Sequence, residues 1–215
     1  TGGNLGRLMG LMCNLPNSVP AITVDMQCAS ALMSIEIAYA HIVSGIMDSA
    51  IAGGIESSSL QPERVYASGD DREGPYKVAQ FTPQDQSPLA MLKGAERTIH
   101  KYNVTKEDLY PHIIGSHQRA SAALDNPYLQ SYIMPITIDG KRCIDECIRP
   151  TMNEKLLSRM KPLLGADSIT NAGNACLTHD GAAFVYLSNK KGPFKIHSVK
   201  PWAGNPQFSP EGALE

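Results

Sequence analysis

Cys28 is the residue whose type and setting could do covalent chemistry. A short apolar run ends at Val24, the cysteine follows at a turn, and a long apolar pattern starts at Ala29. A thiol at a helix entrance faces amide N–H groups that lack intrahelical partners, and their partial positive charge favours thiolate over thiol. The competing reading is a buried cysteine packed as a small hydrophobe, the commoner fate of that residue type. The order of segments supports a nucleophile: strand 21–24, turn, helix 29–43, then a second strand 49–52 ending in Gly53-Gly54, where backbone or a ligand can approach closely.

Other groupings carry less. Cys143 and Cys147 lie four apart and His112 and His117 five apart, but no CxxC or HExxH spacing places them on a shared face, so no metal site is expected. Neither GxGxxG nor GxxxxGK[ST] occurs, so nucleotide phosphates are not held in those ways. Ser57-Ser58-Ser59 reads as a turn cluster. Glu36 and His41 sit in the helix after Cys28 and need partners or an interface there.

The elements that would position Cys28 follow from periodicity. Leu5, Leu8, Met9, Met12 and Leu15 have helical spacing over 4–15, closed by Pro16. Residues 21–24 read as a short buried strand. In the helix from Ala29, apolar residues from Leu32 to Val43 cover most of the circumference, which predicts burial on nearly all sides. Ser44-Gly45 closes it, with a glycine able to take positive φ. From Leu60 the chain leaves the sheet on a long, proline-containing excursion of the kind that carries binding function. Helices are expected there at 88–102, 105–124 and 151–164, with a strand-like stretch Tyr132–Ile138 between the last two. Thr105 before Lys106-Glu107-Asp108 is an N-cap with an acidic first turn. The chain returns through a Gly/Asn-rich turn bracketed by Gly173 and Gly181 to a strand at 182–187.

With 215 residues and a formal net charge of −2, the chain can bury a sizeable core and has no Lys/Arg run longer than a pair, so nucleic acid is not an expected partner. No apolar stretch reaches the ~18 residues of a membrane span. Five cysteines at irregular spacing argue for a reducing compartment, and a cytoplasmic location is expected. The chain opens at Thr1 with no preceding strand and ends just after a strand-like run at 194–199, so it reads as an internal piece of a longer protein.

Several blocks in order resemble the thiolase family. Cys28-Ala29-Ser30 is similar to the nucleophile motif, and Ala52-Gly53-Gly54 with Glu56-Ser57 to the strand end that follows it. Met91 with Ala95-Glu96 resembles the methionine-glycine-x-threonine-alanine-glutamate motif, with Gly94 displaced and the threonine missing. Ser116 to Ala120, Asp145-Glu146 with Arg149, Ala172 to Ala175 and Asp180 to Ala183 resemble further blocks.

The resemblance implies a thiolase fold, α/β with α-β-α-β-α layers. On that pattern residues 1–59 are part of the N-terminal domain and 60–168 an inserted loop domain that binds coenzyme A. Residues 169–190 are the return strand and 191–215 the start of the C-terminal domain. It implies a homo-oligomer, dimer or tetramer, in which the strand before the nucleophile pairs across the dimer. It also implies acyl transfer through a cysteine acyl-enzyme at Cys28, with Met91, Arg149, Ala175 and Cys176 on the coenzyme A side. No cofactor is called for; the coenzyme A thioester is the substrate. Cys176 stands where the family usually has serine, His179 where it has asparagine and Ala90 where many members have histidine. The asparagine–histidine, GHP-type and CxGGG-type motifs of the family's second half do not occur. A non-catalytic acyl-CoA-binding piece is therefore the alternative. The long excursion fits thiolases better than the related ketoacyl or hydroxymethylglutaryl synthases.

Overall fold

A computed structural model of the chain describes residues 3–72, 74–76, 87–176 and 178–190. In chain order the elements are α1 (Leu5–Met12), a single 3-10 turn (Gln27–Ala29), α2 (Ser30–Val43), β1 (Ser49–Ser57), β2 (Arg64–Val65), β3 (Pro75–Tyr76), α3 (Ala90–Lys101), α4 (Lys106–Leu124), α5 (Pro127–Gln130), β4 (Thr137–Ile138), β5 (Lys141–Arg142), α6 (Glu154–Leu157) and β6 (Asp180–Ser188). Described residues up to Ser57 form one compact unit with those from Asp180 onward, and Ser58–His179 form a second.

The first unit is built on a two-stranded antiparallel sheet. β1 and β6 pair in unbroken register from Ser49↔Ser188 to Ser57↔Asp180. The strand predicted to end at Ala52 therefore runs on through Gly53-Gly54 to Ser57. The glycines explain why: a Cβ on Gly53 would fall on the Ala183 carbonyl oxygen of β6, and one on Gly54 would stand 3.3 Å from Ala31 Cβ of α2. The close approach at this pair is made by the protein's own backbone and helix. Ser34 fastens α2 to the same point, its hydroxyl accepting from Gly53 N at 3.0 Å and lying 3.1 Å from Gly53 O.

Two expectations fail in this unit. Residues 21–24 form no strand, and Ile22 is 64% exposed. Their polar groups are taken by the start of α1: Ala21 O accepts from Asn4 Nδ2 at 2.6 Å, while Thr23 Oγ1 accepts from Gly6 N and donates to Asn4 Oδ1. Arg7 ties the preceding turn by donating to Val19 O and Asn17 O. Nor is α2 buried all round. Ala38 is its one buried residue, while Leu32, Tyr39 and Val43 are each more than 60% exposed. One side packs on β1, and within this unit nothing among the described residues covers the other. Gly45, at φ +75°, closes the helix as its sequence predicts.

The second unit has its own core. Tyr110 of α4, Met152 and Leu157 are buried together, with Ile113, Ile114 and Met160 against them. Thr105 and Asp108 form a reciprocal capping box at the start of α4, each side chain bonding the other's backbone N–H. The helix expected at 151–164 shrinks to the single turn of α6. Asn153 caps it, Arg159 and Met160 continue in tight turns, and Pro162, which has no N–H, bridges to Asn171 while Leu163 N donates to Thr170 O. The stretch Tyr132–Ile138 pairs only at its end, where β4 and β5 make a hairpin through Asp139 and Gly140, both at positive φ. Residues 169–179 belong by contact to this unit, whereas the domain pattern from the resemblance groups them with the sheet. The strand-like run at 194–199 lies outside the described residues. Among the described residues no helix is long and apolar enough to cross a membrane.

Candidate active site

Cys28 sits at the centre of the turn that opens α2, and it is exposed. The residue before it, Gln27, has φ +52°, a left-handed conformation that a residue with a Cβ adopts at an energetic cost. Three local bonds hold that geometry. Gln27 N donates to Asp25 Oδ1 at 2.9 Å, and the Ser30 hydroxyl accepts from Met26 N and donates to Gln27 O, both at 2.7 Å. Ala29 N closes the turn on Met26 O at 3.1 Å. Ser30 thus clasps both sides of the bend, within which Cys28 is exposed. Ser34 and Gly53-Gly54 then fix the first turns of α2 to β1.

The four residues expected on the coenzyme A side all lie in the second unit, on three separate segments. Met91 is in the first turn of α3 and is 72% exposed. Arg149 lies in the loop before α6, where its backbone N–H donates to His117 Nδ1 at 3.2 Å; its guanidinium makes no hydrogen bond or ion pair among the described residues. Ala175 and Cys176 follow the turn at Asn171, with Ala175 N donating to Asn171 O at 2.9 Å and Cys176 exposed. Met91 and Arg149 are joined to that turn by no hydrogen bond among the described residues.

What fixes that turn is a residue that the sequence offers only as part of a motif. Glu96 of α3 is buried, and its carboxylate accepts from Ile169 N at 2.7 Å, from Thr170 N and Ser168 Oγ at 3.0 Å, and from the Thr170 hydroxyl. His100 Nε2, one turn along the helix, stands 3.2 Å from Oε1, the oxygen that also accepts from Ile169 N. Burial by itself raises the pKa of this carboxyl, but the bonds from Thr170, Ile169 and Ser168 outweigh it and hold the group down to about 2. Beyond the clamp, Asn171 N donates to Asn174 Oδ1, Gly173 N to Asn171 Oδ1, and Asn174 Nδ2 to Ile169 O. Gly173 lies so close to the core that an added Cβ would meet Met160 Sδ at 2.6 Å and Leu157 Cδ2 at 2.7 Å. The sequence holds the donors as the run Ser168-Ile169-Thr170, but nothing local in it ties that run to Glu96.

Chemically, one unit is an α/β scaffold that presents an exposed cysteine on a strained turn, and the other holds a Gly/Asn-rich turn with a buried carboxylate. Comparison with known proteins agrees with that class. The family described as thiolase, N-terminal domain, matches residues 1–191. The 3-ketoacyl-CoA thiolase of Bacillus subtilis is 33% identical over 204 residues, covering 88% of this chain and 51% of its own length. Human mitochondrial 3-ketoacyl-CoA thiolase, solved in complex with CoA, superposes with a TM-score of 0.72 at 26% identity, over 86% of this chain and 48% of that one. The acetyl-CoA acetyltransferase of Bacillus anthracis gives a TM-score of 0.70 at 25% identity, over 86% and 50%. The chain belongs to the thiolase family and has the fold of its N-terminal half. It spans about half the length of the relatives it matches.

Proposed function

We propose that this chain carries the nucleophile and the coenzyme A-binding part of a thiolase-type acyltransferase. Cys28 attacks the carbonyl of an acyl-CoA thioester; the carbon–sulfur bond to coenzyme A breaks, coenzyme A leaves with the thiol proton, and the acyl group stays on Cys28. In condensation the acyl group then passes to the carbanion of a second acyl-CoA. In the thiolytic direction Cys28 instead attacks the 3-keto carbonyl of a 3-ketoacyl-CoA, the C2–C3 bond breaks, acetyl-CoA leaves after C2 takes up a proton, and the acyl group passes from Cys28 to the thiol of coenzyme A. N–H groups at the start of α2 stabilise negative charge on the sulfur. Groups from the family's second half, whose motifs this sequence lacks, serve as base and oxyanion donors.

The observation that carries this reading is the exposed Cys28 on a left-handed turn clasped by Ser30. Met91, Arg149, Ala175 and Cys176 are assigned to the coenzyme A side. Arg149, with no counter-charge among the described residues, suits a phosphate, and the clamped turn at Ala175-Cys176 suits the pantetheine arm. The human relative's complex with CoA supports the ligand class. The uncovered apolar side of α2 supports a homo-oligomer, and the protein is assigned to acyl-CoA metabolism in the cytoplasm. Cys28→Ser is expected to abolish acyl transfer in the intact protein and leave coenzyme A binding, measured by calorimetry, within about twofold. Retained turnover would remove Cys28 from the mechanism.

A further inference from the structure

One pair of side chains outside the acyl chemistry has the makings of a reactive centre. Cys147 Sγ lies 3.0 Å from Nε2 of His179, a residue 32 positions along the chain. Cys147 is half-buried in the loop before α6, and His179 is exposed at the last position before β6. Two ligands do not make a metal site, and among the described residues no three His, Cys, Asp or Glu side chains are grouped to hold an ion. What a thiol and an imidazole at this distance can do is exchange a proton. An unprotonated Nε2 accepts the S–H proton and leaves a thiolate beside an imidazolium.

We propose that Cys147 and His179 form a second reactive thiol site, at which Cys147 is reversibly modified by low-molecular-weight disulfides. His179 Nε2 takes the Cys147 proton, and the thiolate attacks one sulfur of the small disulfide. The disulfide's S–S bond breaks as the bond to Cys147 Sγ forms, and the released small thiolate recovers the proton from His179. One disulfide is consumed and one formed, with no other oxidant. The proposal does not depend on acyl transfer at Cys28.

The chain contains its own reference. Cys143, four residues earlier on the same loop, is more exposed and has no side-chain partner among the described residues. Access alone therefore makes Cys143 the faster thiol, and the imidazole alone makes it Cys147. The test is to reduce the full chain, remove the reductant, add glutathione disulfide at pH 7, quench in acid and follow each cysteine by peptide mass mapping. Cys147 is expected to acquire glutathione about tenfold faster than Cys143 and to release it with dithiothreitol. His179→Asn is expected to remove that advantage while the Cys143 rate stays unchanged. A Cys147 rate at or below that of Cys143 in the unmodified sequence overturns the proposal without any variant, and so does an undiminished rate in H179N.

Discussion

The two units solve the problem of holding a loop in place by opposite means. In the unit that carries Cys28, only Ala38 and Ala52 are buried among the described residues, and large apolar side chains on α2, β1 and β6 face outward. Its geometry rests on a backbone ladder, two glycines and hydroxyl clasps at Ser30 and Ser34. The second unit has a three-residue apolar centre and a buried carboxylate that gathers four donors from one turn. The contrast teaches what each unit rests on. The excursion encloses a small apolar centre and the nucleophile's platform does not, while both expose large apolar side chains, such as Leu32 and Tyr39 in the first unit and Leu60 and Tyr132 in the second.

The largest expected effect is on the core of the second unit. Leu157 is 2% exposed, and Leu157→Ala is expected to cost about 4 kcal/mol. Hydrogen exchange followed by mass spectrometry should show lost protection in 105–124 and 152–175 with that at 49–57 unchanged; equal loss in both units would erase the distinction between them. Gly53→Ala probes the opposite side. Its methyl group meets the Ala183 carbonyl and lies 2.7 Å from Phe184 Cα, backbone that cannot swing aside, so a loss of about 3 kcal/mol and of protection along β1 and β6 is expected. An unaffected β1–β6 ladder would contradict the packing described for the glycine pair.

A smaller effect sharpens the role of Glu96. Its carboxyl is held at about 2 when folded, against an ordinary value of 4.5, so its contribution is complete above pH 4.5 and fades as pH falls toward 2. About 2 kcal/mol is expected to be gone by pH 3. Glu96→Gln should lower stability at pH 7 and flatten the acid dependence relative to the unmodified chain, read from urea midpoints at both pH values. Parallel acid profiles would show that the clamp is not set by this charge.

What was legible in the sequence was local. The helices α1, α3 and α4, the Thr105 cap and the glycine after α2 depend on residues within a turn or two of each other, and each is found where the spacing places it. The failures are non-local. The end of β1 is set by β6, more than a hundred residues away, and burial of α2 depends on what packs against it, which its own periodicity cannot report. Residues 21–24 have strand-like composition, but Asn4 and Gly6 reach their polar groups first. The helix expected at 151–164 fails because Pro162 and Leu163 find partners in Asn171 and Thr170. At the candidate site, Cys28 and its position at a helix entrance were readable. The donors around Glu96 were not, because a carboxylate and a turn more than seventy residues apart meet only in the folded chain. The Asp139-Gly140 turn was available as a hairpin signal beside the stretch expected to be a longer strand.

The most direct test of the central claim is to incubate the purified chain with acetyl-CoA, measure its intact mass and map any modified peptide. A single acetyl group is expected on Cys28, absent in Cys28→Ser, with the exposed Cys13, Cys143 and Cys176 unmodified over the same time. Acetylation spread over the exposed cysteines in proportion to their access, or confined to one other than Cys28, would contradict it.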